Sequence, residues 1–194
     1  RNPMRIVGGV HKGRTIAAPK GERVRPTSDR TREALFNILA HAGFEGFALE
    51  GARVLDLFAG SGALGIEALS RGAGFALFVE EHPESRAAIR ENMEALGLTG
   101  HSKIYKRDAT RLGPRPGSVG PAFTLLFADP PYGKGLAGPA LVSAREGGWL
   151  DPHALCIVEE SAGTRFTAPE GFEECDRRRY GDTEVVFLRL QPLA

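Results

Sequence analysis

Asp56-Leu57-Phe58-Ala59-Gly60-Ser61-Gly62-Ala63-Leu64-Gly65 is the stretch on which the fold is decided. It closes a mostly apolar run, Arg53-Val54-Leu55-Asp56-Leu57-Phe58, of the kind expected for a parallel strand buried on both faces. Gly60, Gly62 and Gly65 then form a G-x-G-x-x-G turn, and residues 61–71 read as a helix. Glu80 follows Gly60 by 20 residues. Strand, glycine turn, helix and distant acid are the ordered parts of a nucleotide-type cleft built at a helix N-terminus.

Outward from this unit, the chain alternates between apolar runs and helical patterns. Phe75 to Val79 reads as a second strand ended by Glu80. Pro83 suits a first helical turn, Ile89, Met93 and Leu96 share one helix face, and Gly97 is a C-terminal stop. Lys103 to Arg107, Ala122 to Ala128 and Ala154 to Val158 read as further strands, with a helix over Leu136 to Glu146. Glu173 to Tyr180 and Glu184 to Leu190 form a hairpin around Gly181-Asp182. Upstream, Arg5 to Ala18 reads as a small hairpin, and Thr27 or Ser28 caps a helix running to about His41. The expected fold is therefore α/β and Rossmann-like. A mostly parallel seven-stranded sheet carries helices on both faces and ends in a C-terminal antiparallel hairpin. Residues 1–42 are expected to form a basic N-terminal hairpin-and-helix extension, and 43–194 the catalytic domain. Met4 is the expected native start, so Arg1-Asn2-Pro3 is left out of fold reasoning.

The chain has 194 residues, 25 basic and 24 acidic, so total charge points to no partner. Its distribution does. Residues 1–32 hold nine basic side chains and two acids, a surplus of seven, while the remaining 162 residues hold 16 and 22. A basic arm on a mildly acidic body suits a polyanion. Arg5, Lys12, Arg14, Arg25 and Arg30 are the candidate contacts to it. The longest run free of Asp, Glu, Lys and Arg is Pro116 to Ala128, too short to span a membrane. Two cysteines make no disulfide framework, and the five histidines have no ligand spacing, so no metal is expected. With no signal segment visible, the expected location is cytoplasmic.

In open parallel sheets ligands sit beyond the carboxyl ends of the strands. An acid stands at or near the end of each of the five strands: Asp56, Glu80, Asp108, Asp129 and Glu159. Asp56 argues against a pyrophosphate, which it would repel, and so against a nicotinamide cofactor. It suits S-adenosylmethionine, whose ammonium and sulfonium are both cationic. Glu80 is then expected to accept from the ribose hydroxyls, with Glu81 as its substitute if the strand ends one residue later. Asp108 is expected to accept from the adenine amine or to cap a helix, or both. The expected cofactor contacts are Asp56, Phe58, Gly60, Gly62, Glu80, Asp108 and Ala109.

After the fourth strand stands Asp129-Pro130-Pro131-Tyr132. Two prolines fix φ and remove two backbone donors, leaving a carboxylate, free carbonyls and an aromatic ring. An exocyclic amine on a nucleobase is a weak nucleophile because its lone pair is delocalised. Acceptors at Asp129 and the Pro130 carbonyl can grip its N–H groups and aim that lone pair, while Tyr132 stacks on the base for about 1–3 kcal/mol. Asp129, Pro130, Pro131 and Tyr132 are the catalytic candidates.

These segments resemble the class I S-adenosylmethionine-dependent methyltransferases, and within them the RsmD-type 16S rRNA guanine-N2 methyltransferases. The resemblance is carried by Met4 to Gly9, Arg25-Pro26-Thr27-Ser28-Asp29-Arg30-Thr31-Arg32-Glu33-Ala34-Leu35-Phe36-Asn37, Asp56 to Gly72, Asp129 to Tyr132, and Tyr180-Gly181-Asp182-Thr183. It implies methyl transfer from S-adenosylmethionine to N2 of a guanine in 16S rRNA, within a small ribosomal subunit or an assembly intermediate. A monomer is expected. Asp-Pro-Pro-Tyr alone is shared with adenine-N6 methyltransferases acting on DNA or RNA, which is the first alternative; a NAD(P)-dependent oxidoreductase is the more remote one. Arg25 and Arg30 are open to three partners: RNA, the cofactor carboxylate or Glu33.

Overall fold

A computed structural model describes residues 4–20 and 27–192. Two strands, β1 (Met4–Arg5) and β2 (Thr15–Ile16), pair antiparallel as a hairpin. Helix α1 (Asp29–His41) starts where Ser28 accepts a hydrogen bond from the Thr31 N–H, one of the orphan donors of the first turn. Then come β3 (Arg53–Leu57), α2 (Ala63–Ser70), β4 (Phe75–Val79), α3 (Pro83–Leu96), β5 (Ser102–Tyr105), β6 (Phe123–Ala128), α4 (Ala137–Glu146), β7 (Leu150–Ser161), β8 (Phe172–Tyr180) and β9 (Thr183–Leu190).

The main sheet has seven strands in the order β5-β4-β3-β6-β7-β9-β8. Neighbours from β5 to β7 pair in parallel, and β9 inserts antiparallel between β7 and β8. The order reverses between β3 and β6, so the crevice expected of such sheets opens past Leu57 and Ala128. One apolar layer joins the hairpin, α1, α2 and α3 to one sheet face through Ile6, Ile16, Phe36, Ile66, Ile89 and Phe127. The other face is covered by α4 and the segment between β5 and β6, around Leu112, Val119, Leu141 and Trp149. Among the described residues no helix is long and apolar enough to cross a membrane.

Asp56 lies inside β3, opposite Phe78 and Phe127, as the run Arg53 to Phe58 places it. The limit of β7 differs from the sequence reading in a way that moves acids. Strand β7 runs on to Ser161, so Glu159 and Glu160 are inside it. The cause is the antiparallel partner. Strand β6 stops pairing at Val158, but β9 continues through Glu159–Val185, Glu160–Glu184 and Ser161–Thr183. At its other end β7 begins at Leu150, and Pro152 is accommodated because the pairing with β6 skips from Phe123–Leu150 to Leu125–Leu155.

The hairpin is tied to the helices beneath it. Glu67, in the middle of α2, accepts from the Val7 and Gly8 N–H groups, from Arg32 Nε and from Arg71 Nε, at 2.9–3.1 Å. Arg32 and Glu67 are both fully buried. Gly9 has φ +77, and a Cβ there would stand 1.9 Å from the Ser70 carbonyl oxygen, so only glycine allows the hairpin to sit this close to α2. Asn92 of α3 accepts from the Ala17 N–H and donates to the Ala17 and Ser61 carbonyls.

Candidate active site

A cleft of about 490 Å³ opens at the carboxyl ends of β3, β4 and β6. Its lining includes Asp56, Phe58, Gly60, Glu80, Asp108, Ala109, Asp129, Pro130, Pro131 and Tyr132. The structure thus brings together the cofactor and catalytic candidates from four separate segments; Gly62 shapes the loop without lining the cleft. A wider depression of about 760 Å³ lies between the 110–114 loop and α4. Among the described residues its lining holds one acid, Glu146, and no glycine turn at a helix start, so the narrower cleft is the candidate site.

The loop after β3 is shaped by backbone requirements. Phe58 has φ +55, an uncommon conformation for a residue with a Cβ, in which Ala59 donates to the Val79 carbonyl. Gly62 caps α2 in a left-handed conformation at φ +81. At Gly65 a Cβ would meet the Phe78 ring at 2.5 Å, so this glycine lets α2 close on β4. Its N–H donates to Asp56 Oδ2 at 3.0 Å. Asp56 is fully buried, and burial pushes its carboxyl up to about 8, with the Glu80 charge adding to the rise against the Gly65 bond.

Glu80 anchors two turns at once. Its Oε1 accepts from the Gly60 N–H at 2.8 Å, and its Oε2 from the His82 N–H at 3.0 Å. Each carboxylate oxygen retains a further lone pair, and Glu80 lines the cleft. Asp108 lies three residues past the end of β5, since that strand stops at Tyr105. It caps a turn and no helix: Oδ1 accepts from both the N–H and the hydroxyl of Thr110, and these bonds hold its carboxyl below the ordinary carboxylate range. Glu81 is exposed at the rim.

Asp129 directly follows β6 and is half-buried. Burial, then the charges of Glu159, Asp56 and Glu160, push its carboxyl well above the usual range. The Tyr132 hydroxyl lies 3.0 Å from Thr183 Oγ1, which ties the ring to the start of β9. Lys134 and Arg107 are the basic side chains on the lining, against the acids Asp56, Glu80, Glu81, Asp108 and Asp129.

Of the arm candidates, Arg5, Lys12, Arg14 and Arg30 are exposed, and Arg14 also donates to the Ala95 carbonyl. Arg25 lies outside the described residues. Arg32, counted from sequence in the basic surplus, is not available to a polyanion: it is buried against Glu67, Asp29 and two backbone carbonyls. Sequence reasoning missed Thr27. Its hydroxyl lies 2.7 Å from Glu159 Oε2 and 3.3 Å from Asp129 Oδ2. The only local signal was that of a helix cap, and the partners are 102 and 132 residues away.

The strand order, the glycine turn after β3 and the proline-rich turn after β6 define a Rossmann-like methyltransferase. Comparison with known proteins agrees. The family described as Conserved hypothetical protein 95 matches residues 4–189. A Bacillus subtilis protein named as an rRNA methyltransferase, YlbH, is 40% identical over 96% of this chain and 98% of its own length. Ribosomal RNA small subunit methyltransferase D of Escherichia coli K12 is 36% identical over 80% of this chain and 74% of its own. Among solved structures, the Escherichia coli protein YhhF, named as a methyltransferase, superposes with a TM-score of 0.80 at 30% identity, covering 99% of this chain and all of the other. The chain belongs to this family of RsmD-type methyltransferases.

Proposed function

We propose that the protein methylates the exocyclic N2 of a guanine in small-subunit rRNA with S-adenosylmethionine as donor. The observation that carries this reading is that two sets of acceptors line one cleft: Asp56 and Glu80 beside the glycine turn, and Asp129 with its two prolines after β6. The relatives' names supply the RNA class.

The cleft fits the donor by charge. Among the described residues, five acids and two basic side chains line it, which opposes a pyrophosphate and favours a cation. Asp56 would face the cationic end of the donor and Glu80 the ribose; Asp108, ionised, would accept from the adenine amine. When bound, S-adenosylmethionine supplies a methyl group on positively charged sulfur. Asp129 and the Pro130 carbonyl would hold the guanine amine by its N–H groups and leave its lone pair free to attack the methyl group. Once N2 is methylated, its proton would pass to the Asp129 carboxylate. Tyr132, held by Thr183, offers a ring to the base. Positioning and electrostatics carry the catalysis. The arm's exposed Arg5, Lys12, Arg14 and Arg30, with Arg25, would hold the phosphate backbone.

The test is nucleoside mass spectrometry of small-subunit rRNA after incubation with the protein and methyl-labelled donor. Labelled N2-methylguanosine is expected, with label lost in Asp129→Ala while donor binding is retained. Label in N6-methyladenosine would replace the substrate, and full activity in Asp129→Ala would remove the catalytic assignment.

A further inference from the structure

We propose that Thr27 is a positioning residue for the methyl transfer: the N-terminal segment delivers its hydroxyl between Asp129 and Glu159, where it holds the Asp129 carboxylate in the orientation that meets the substrate amine. The inference rests on the methyltransferase reading and adds a function to a segment otherwise read as an RNA handle.

Thr27 is buried and lines the cleft. A hydroxyl has one proton to give and two lone pairs to accept with. At 2.7 Å from Glu159 Oε2 and 3.3 Å from Asp129 Oδ2 it can serve either carboxylate, and the two states of Asp129 use it differently. While Asp129 is ionised, the hydroxyl can turn its proton to Asp129. Once Asp129 carries a proton, the carboxyl donates to Thr27 and Thr27 donates to Glu159, a chain of two O–H···O bonds with no acceptor left facing another. The same side chain therefore holds Asp129 before and after it takes up the proton.

The position of Thr27 is set from three directions. Its carbonyl accepts from Arg32 Nη1 at 3.2 Å. The same buried guanidinium bonds the Arg5 carbonyl of the hairpin, Asp29 of α1 and Glu67 of α2, the helix that the glycine turn opens. Ser28, the next residue, is locked as the cap of α1. A side chain fixed this way keeps its aim without help from solvent.

Among the described residues, the groups acting on Asp129 are Glu159 and Glu160 from β7, Asp56 from β3 and Thr27 from the N-terminal segment. The three acids favour its neutral form, and the Thr27 hydrogen bond favours its anion. Removing Thr27 or Glu159 therefore moves the titration of Asp129 in opposite directions.

The experiment compares Thr27→Val, Thr27→Ser and Glu159→Gln with the wild-type chain. Thr27→Val is expected to lower kcat about tenfold to a hundredfold. KM for RNA and donor should stay within about twofold, and the acid limb of the pH–rate profile should move to higher pH. Thr27→Ser is expected to restore both. Glu159→Gln is expected to move the limb to lower pH. Wild-type kcat and limb in Thr27→Val, or equal impairment of the valine and serine variants, would overturn the inference. So would an unmoved limb in Glu159→Gln, which is also the arm that decides should Thr27→Val not fold. Carbon-13 NMR titration of the Asp129 carboxyl in the wild type and the variants needs no turnover, and unshifted titration there also overturns it. Absence of any transfer by the wild-type chain sinks the function and leaves this titration to judge Thr27.

Discussion

Asp56 sits in β3 with both sheet neighbours apolar, Phe78 and Phe127, and its carboxyl is pushed up to about 8 by that burial. The consequence for stability has a definite sign. The acid titrates near 4 in the unfolded chain and near 8 in the folded one, so its favourable contribution is complete below pH 4 and is lost progressively as pH rises to 8. Asn at this position can still accept the Gly65 N–H but does not titrate. The melting temperature of Asp56→Asn relative to wild type should therefore rise between pH 5 and pH 8, as calorimetry at several pH values would record; a constant offset would contradict the burial argument. The same group links donor binding to protons. A cation placed beside Asp56 favours its anion, so S-adenosylmethionine should expel a proton from it near pH 7. Titration calorimetry in two buffers of different ionisation enthalpy should show more proton release for wild type than for Asp56→Asn, and equal release would place the cation elsewhere.

At the scale of elements, the Arg32–Glu67 pair joins hairpin, α1 and α2. Breaking a buried pair costs about 3–5 kcal/mol, because the remaining charge stays desolvated. In Arg32→Met, Glu67 would keep Arg71 and two backbone donors, so the loss belongs at the low end, about 3 kcal/mol. Urea unfolding should show it, with a melting temperature lower by roughly 6–12 °C for a chain of this size. A loss under about 1 kcal/mol would mean that the pair does not hold the hairpin to α2. This pair also shows where sequence reading stops. The parallel strands, the glycine turn and Ser28 as a cap were legible because each depends on residues within one or two turns of chain. A glutamate inside the apolar run Ala63 to Leu69 was a visible signal that a buried partner must exist, but its identity, 35 residues away, was not. Glu159 could be seen as an acid near a strand end; that it lies inside β7 depends on pairing with β9, which no local pattern announces. Asp56, Glu80 and Asp129 were legible as a constellation because the parallel topology carries every strand end to one edge. Thr27 was not, because its role depends on two carboxylates more than 100 residues distant.

For the whole molecule, the decisive asymmetry is between an acidic cleft and a basic arm mounted beside it. Burial of Arg32 removes one charge from the arm's surplus, and among the described residues Arg5, Lys12, Arg14, Lys20 and Arg30 remain exposed. Five cations meeting five phosphates release condensed counterions. The logarithm of the RNA association constant should then fall with the logarithm of salt concentration with a slope of about −3.5 for single strands, approaching −4.5 for a duplex. The paired substitution Lys12→Ala with Arg14→Ala removes two of these charges at the hairpin, and neither residue lines the cleft. It should make the slope shallower by about 1.4 to 1.8 and weaken RNA binding, while the affinity for S-adenosylmethionine stays unchanged. Filter binding across a salt series, with donor affinity measured on the same preparations, separates the arm's two roles. If the double variant keeps the full slope, the phosphates lie against another surface, and the hairpin serves only to seat Arg32 and, through it, Thr27 in the cleft.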